Sequence, residues 1–282
     1  MKLNSNTFYK KGFLFAGLSL ATVFTSCQDD DTEPVIVEAE GTASLMIDAR
    51  FGDADFELEK AFQAASGDRD ISYSFSRLRY WVSNIALIDE NGVEFKVPDS
   101  YFLMEETGEV PVQDGSFDKV YPANKREVIE LSDIPAGNYT GLKFNIGVDP
   151  MYNDNLSLRA GELNALNGMA SASWMWFTSY IFTSAAGQMA LASDTDQVQN
   201  FFWETGSNDM LAAKEIEFPN MIRISSSTAS SIDLELDVQQ VMNLDGAWDA
   251  SVIGATQVDE MARLRDNYVN AISIQGASSI EK

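Results

Sequence analysis

The stretch SRLRYWVSNIALI at 76–88, followed by ENG at 90–92 and VEFKV at 93–97, sets the fold class. Its first part is dense in β-branched and aromatic residues, which fit a pleated, half-buried surface. The Glu-Asn-Gly that follows has the residue types of a hairpin turn. The reading is strand, turn, strand. Working outward, TASLMIDARF (42–51) alternates Leu45, Ile47 and Ala49 against Ser44, Met46 and Asp48, the period-two pattern of a half-buried strand. YFLMEE (101–106), REVIEL (126–131), NYTGLKFNIGV (138–148), MIRIS (221–225) and SIDLELDV (231–238) continue the series, and IPAG (134–137) is a turn with proline and glycine at their usual places. Short strands at roughly regular spacing predict an all-β chain, an antiparallel β-sandwich.

Three stretches depart from that pattern. AGELNALNGM (160–169) has the residues of a short helix or a pair of turns. SASWMWFTSYIFTSAAG (171–187) is an aromatic-rich insertion that ends in small residues. TQVDEMARLRDNYVNAISI (256–274) places Val258, Met261, Leu264, Tyr268 and Ile272 at three- and four-residue steps, a C-terminal amphipathic helix with its apolar stripe on the sandwich. No repeat or linker divides residues 42–282, so one domain is expected there.

The 282 residues are ample for a buried core, and the 45% hydrophobic share is that of a globular chain. Two counts exclude more. There is no histidine and only one cysteine. That removes Ser–His–Asp and Cys–His triads, zinc fingers, His-ligated zinc, four-thiolate iron–sulfur clusters and any intrachain disulfide. A formal charge of −24 argues against a nucleic-acid binder, which needs a basic footprint to meet phosphates.

The beginning of the chain has the form of an address. Lys2, Lys10 and Lys11 precede the apolar run GFLFAGLSLATVF (12–24), and small residues lead to Cys27. This is the order of a secretory signal over 1–26. The run is too short to span a bilayer, which takes about 20 apolar residues. FTSC (24–27) resembles a bacterial lipobox, which makes Cys27 the lipidated first residue of the mature protein and the membrane its partner. QDDD (28–31) resembles the export signal of surface lipoproteins in Bacteroidota, so the expected location is the outer membrane, exposed at the cell surface. Residues 27–41 then form an acidic tether. Removing 1–26 leaves 16 basic against 43 acidic residues, a net −27.

Acid–base chemistry falls to carboxylates, Tyr and Lys. Paired carboxylates could hydrolyse glycosides, but 43 acids supply many accidental pairs. DPMYNDN (149–155), DTD (194–196) and NLDGAWD (243–249) offer oxygen ligands without the spacing of a calcium loop, and Asx-capped turns are the better reading. Met169, Met175 and Met189 offer soft sulfur to Cu(I), although methionine more often fills core gaps. The densest aromatic group is Trp174, Trp176, Tyr180 and Phe182, which share one face if their segment is a strand.

Several of these strings, taken in order, are similar to the MbnP-like copper-binding proteins. RYWVSNIALIDENG (79–92) resembles that family's aromatic strand ending in Ser-Asn-Ile before a glycine turn, and IPAGNYTGLKFNIGVDPMYN (134–153) its Gly-x-Tyr strand leading into Ile-Gly-Val-Asp. WMWFTSYIF (174–182) resembles its Trp-x-Trp-x-x-Gly-Tyr-x-Phe signature, with Ser179 where glycine is usual. LRDNYVNAISI (264–274) looks like its closing helix and strand. The resemblance implies a secreted or lipid-anchored β-sandwich. It also implies copper held by histidines with a tryptophan oxidised to kynurenine, and a di-haem peroxidase-like partner associated with that oxidation. Trp174 and Trp176 stand at the signature's tryptophans and Tyr180 at its tyrosine. FFWETGS (201–207) is similar to a segment in which relatives often carry histidine, and here Glu204 stands there. Glu204 and Met175 are the metal-ligand candidates that remain near the signature, with copper the implied cofactor.

The expected function is that of a non-enzymatic, lipid-anchored envelope protein of MbnP-like fold, with copper binding weakened by the missing imidazole. The alternative is a surface glycan-binding or adhesin-like sandwich that uses exposed aromatics.

Overall fold

A computed structural model describes residues 39–66, 69–114, 117–171 and 179–282. In chain order the first strands are β1 (Gly41–Phe51), β2 (Ala54–Asp55), β3 (Ala61–Ser66), β4 (Arg69–Asp89), β5 (Glu94–Lys96) and β6 (Tyr101–Thr107). Then come β7 (Val110–Asp114), β8 (Phe117–Tyr121), β9 (Asn124–Arg126), β10 (Val128–Ile134), β11 (Gly137–Ile146), helix α1 (Pro150–Asn153) and β12 (Ala170–Ser171). The last part carries β13 (Ser179–Leu191), β14 (Asp194–Gly206), β15 (Ala212–Ile224), β16 (Thr228–Asp237), α2 (Val238–Val241), β17 (Val252–Ile253), α3 (Val258–Ala271) and β18 (Ile272–Glu281).

The opening stretch of the sequence lies within β4, and β4 organises the larger sheet. At 21 residues it is long enough to take successive partners on each edge. One edge pairs with β3, then β6, then β5; the other pairs with β13 and then β11. The path through this sheet is β15-β11-β4-β13-β14-β17. The smaller sheet runs β10-β1-β16-β18. Residues 78–83 of β4 are buried without alternation, because both faces of the strand are covered there. Leu45, Ile47 and Ala49 of β1 and Ile232, Leu234 and Leu236 of β16 are all buried, in the alternation expected of strands covered on one face.

The all-β reading and the sandwich layers hold. Two pairings are parallel, however. β1 runs beside β16 from Ala43↔Ser230 to Arg50↔Asp237, and β17 runs beside β14. A parallel pair needs a long crossover, and most of the chain separates β1 from β16. No local pattern in either strand carries that information.

The aromatic-rich stretch is only partly an insertion. From Ser179 onward it is β13, hydrogen-bonded between β4 and β14. The small residues Thr183, Ser184, Ala185 and Ala186 let it be buried on both faces. Residues 160–169 form turns rather than a helix, with Asn164 Oδ1 accepting from the Leu166 N–H and Asn167 Oδ1 from the Met169 N–H.

The expected C-terminal helix is α3. Met261, Leu264, Tyr268 and Ala271 are its buried face, and the Tyr268 ring lies 5.9 Å from that of Tyr80 on β4. Burial of each large side chain stabilises the docking by about 1.5–3 kcal/mol. Val258, placed on the apolar stripe by its spacing, is 54% exposed at the first turn, and Ile272 already belongs to β18. Asp259 and Glu260 occupy the first turn, where negative charge complements the helix dipole.

Candidate functional site

Cys27, Trp174, Met175 and Trp176 lie outside the described residues. The structure does describe where the aromatic segment begins and ends. Ser171 pairs with Ser179 and Ala170 with Tyr180, so β12 and β13 are antiparallel neighbours. Tyr180 is fully buried and its ring meets Trp81 edge-on at 5.8 Å. Its backbone N–H donates to Asn153 Oδ1 at 2.9 Å. Burial pushes its phenol above the ordinary value, opposed by the Arg159 guanidinium.

Glu204 sits on β14 opposite Ser184 of β13, whose hydroxyl donates to its carboxylate at 3.1 Å. Burial lowers the Arg77 guanidinium below its ordinary value, and the nearby Glu204 charge opposes that shift in part. Ser184, across from Glu204, is four residues from Tyr180, about 13 Å along a strand. The structure therefore does not bring Tyr180 and Glu204 together.

Next to these residues lies a buried polar cluster that the sequence reading missed. Cross-strand pairing places Glu204, Ser184, Arg79, Glu105 and Arg126 in one row over β14, β13, β4, β6 and β9. At its centre Arg79 Nε donates to Glu105 Oε2 at 2.8 Å, and Arg79 Nη2 donates to the Asn167 carbonyl at 2.7 Å. Glu105 Oε1 accepts from the Tyr121 hydroxyl and from Asn124 Nδ2. Burial, then the bond to Glu105, pushes the Tyr121 phenol up to about 12. Both Glu105 oxygens are thus engaged in charge-assisted bonds, Asn167 ties the pair to the chain entering β12, and Arg79 Nη1 is left buried without a hydrogen-bond partner. The available signal was an arginine inside the apolar run RLRYWV (77–82).

Two of the sequence motifs also meet. Asn84, in the left-handed region at φ 53°, makes a β-bulge, because Lys143↔Ala86 and Asn145↔Ser83 leave two residues of β4 opposite one of β11. Asn84 Nδ2 donates to Asp149 at 3.1 Å, and the Tyr101 hydroxyl is shared between Asn84 Oδ1 at 3.0 Å and the Asp149 carboxylate. Burial and that carboxylate push the Tyr101 phenol up. Asp149 also caps α1 by accepting from the Met151 N–H. Asp194 likewise accepts from the Asp196 N–H, so both segments are Asx turns as expected.

The donor set does not fit copper held by imidazole. The chain has no histidine, and among the described residues no three His, Cys, Asp or Glu side chains gather as a metal site. Glu204, the candidate at the expected histidine position, is a hard oxygen donor already bonded to Ser184.

MbnP from Methylosinus trichosporium, a solved structure, is similar at 14% identity and a TM-score of 0.39, over 69% of this chain and 76% of that one. No curated protein matches. The MbnP family model matches residues 40–258, and the chain belongs to the MbnP family.

Proposed function

We propose that this chain is a lipid-anchored, non-catalytic MbnP-family protein of the cell surface in which the imidazole-based copper chemistry suggested by the family resemblance is not carried. The observation behind the reading is Glu204. Where the resemblance expects an imidazole there is a carboxylate that accepts from Ser184 and faces Arg77. A carboxylate and the thioether of Met175, without a nitrogen donor, would give a weak and easily chelated site. The anchor rests on Cys27, the only thiol, behind its lysine–apolar–small sequence. Acyl chains on that residue contribute about 0.8 kcal/mol per buried methylene.

The test is metal content of the purified protein by mass spectrometry after overnight chelation, together with peptide mapping. Copper should be removed, and the peptide carrying Trp174 and Trp176 should keep its unmodified mass. Stoichiometric copper surviving chelation overturns the reading. So does kynurenine at either tryptophan, the product expected from a di-haem oxidising partner. For the anchor, Cys27→Ala should leave the precursor uncleaved and abolish labelling by a radiolabelled fatty acid; undiminished labelling refutes it.

A further inference from the structure

On the outer face of the larger sheet a groove of about 750 Å³ runs over β5, β4, β11 and β15. That volume lies in the range of small-molecule sites. Its floor follows from register. Lys96, Ala86, Lys143 and Glu215 stand opposite one another in a single row across the four strands. Ala86 is the small member, and its short side chain leaves a trough between two lysines. Ala213, opposite Asn145 in the next row, keeps the trough open toward β15.

The end wall is rigid. The bulge at Asn84 places its amide on Tyr101 and Asp149, and the exposed backbone groups of the bulge are satisfied by Ser100. The Asn84 N–H donates to the Ser100 carbonyl and the Ile85 N–H to the Ser100 hydroxyl, both at 2.9 Å. Asp99, on the same wall, is also left-handed at φ 49°. Two non-glycine residues held at positive φ are costly and persist only where surrounding contacts over-determine them. Tyr101 in turn carries the half-buried Tyr152 ring edge-on at 4.9 Å.

The charges in the groove are balanced rather than of one sign. Lys143 is clamped between Glu94 and Glu215, at 2.5 and 3.2 Å. Its bond to Glu94 raises the ammonium and lowers the carboxylate, so both stay ionised. Lys96 makes no ion pair among the described residues, and it lines the groove together with Asp99. The groove therefore offers donors at Lys96 and Asn145, acceptors at Asp99 and Glu215, and the half-buried ring of Tyr152. A carboxylate or phosphate ligand would meet three acidic side chains there, and an apolar ligand would strand the polar lining.

We propose that this groove binds a neutral saccharide, whose hydroxyls donate and accept at once and whose ring carbons present an apolar face to Tyr152. The proposal is independent of the copper and anchor readings, since it uses none of the residues on which they rest, and its failure would leave both standing.

The experiment is calorimetric titration of the full-length protein with xylotetraose, cellotetraose, mannotetraose and maltotetraose at millimolar concentration, with succinate as the charged competitor. Lys96→Met removes a donor and Ala213→Trp fills the trough; both positions are exposed, so folding should be retained and is checked by circular dichroism. At least one tetrasaccharide should bind, and each variant should weaken it by about tenfold or more. No binding by any of the four overturns the proposal. So does binding unchanged in both variants, or binding of succinate alone.

Discussion

Arg79 of β4 and Glu105 of β6 face each other directly across the strands, with Nη2 and Oε2 2.7 Å apart and both side chains closed to solvent. A buried pair of this kind is weak evidence for net stabilisation, but its halves depend on each other. Glu105→Gln leaves a buried guanidinium uncompensated and should cost about 3–5 kcal/mol. Arg79→Met together with Glu105→Met should cost less than the sum of the single changes. Urea unfolding of the three variants checks this, and strict additivity would refute the coupling.

Asn84 combines a left-handed backbone with two side-chain bonds. Asn84→Ala should cost about 1 kcal/mol, since an exposed hydrogen bond is lost while Tyr101 keeps its bond to Asp149. Asn84→Gly should lie between that variant and the parent, because glycine takes the positive φ without strain but restores no hydrogen bond. Thermal unfolding of the pair separates the backbone from the side-chain contribution.

Two glycines should respond oppositely to alanine. A Cβ at Gly187 would stand 2.0 Å from the Ser74 carbonyl oxygen and 2.8 Å from the Phe75 Cα, both backbone atoms of β4. Gly187→Ala should therefore force β13 off β4 and cost about 3 kcal/mol. At Gly137 the nearest atoms lie 3.8 Å away, so Gly137→Ala should be neutral or stabilising by about 0.4–1 kcal/mol. Equal effects at the two sites would refute the packing of β13 on β4.

Stability should fall on acidification. Asp89 is held below the ordinary carboxylate value chiefly by the Val93 N–H, and Glu94 by its bond from Lys143. A depressed acid contributes stability that is present above its unfolded value, about 4, and is lost as pH falls through the lower folded value. Glu127 has the opposite sign, because burial raises it; its protonated form is the favoured one, so it opposes folding as pH rises above that range. Asp89→Asn should flatten the acid limb of the stability profile, and Glu127→Gln should steepen the rise toward neutral pH. Denaturation midpoints across pH 2–7 measure both, and unchanged slopes in the variants would refute the assignments.

Strands and helix were legible wherever one face of an element meets the core, since alternate burial writes itself into sequence as period two or 3.6. β1 and α3 show this, with Val258 failing because a first-turn residue reaches past the surface it should cover. β4 was legible as β-rich but not as central, and most of β13 was read as part of an insertion, because burial on both faces erases alternation. By itself the sequence determined the all-β class, the absence of imidazole chemistry and the lone thiol at Cys27. The motifs around Asn84 and Asp149 were visible as strings without a reason for their residues. Only the tertiary structure decided that β1 lies parallel to β16, that Arg79 finds Glu105, and that Lys143 stands beside Ala86. Each of these is a contact between residues far apart in the chain. Strand register sets it, and register is settled by the packing of whole faces rather than by any local run.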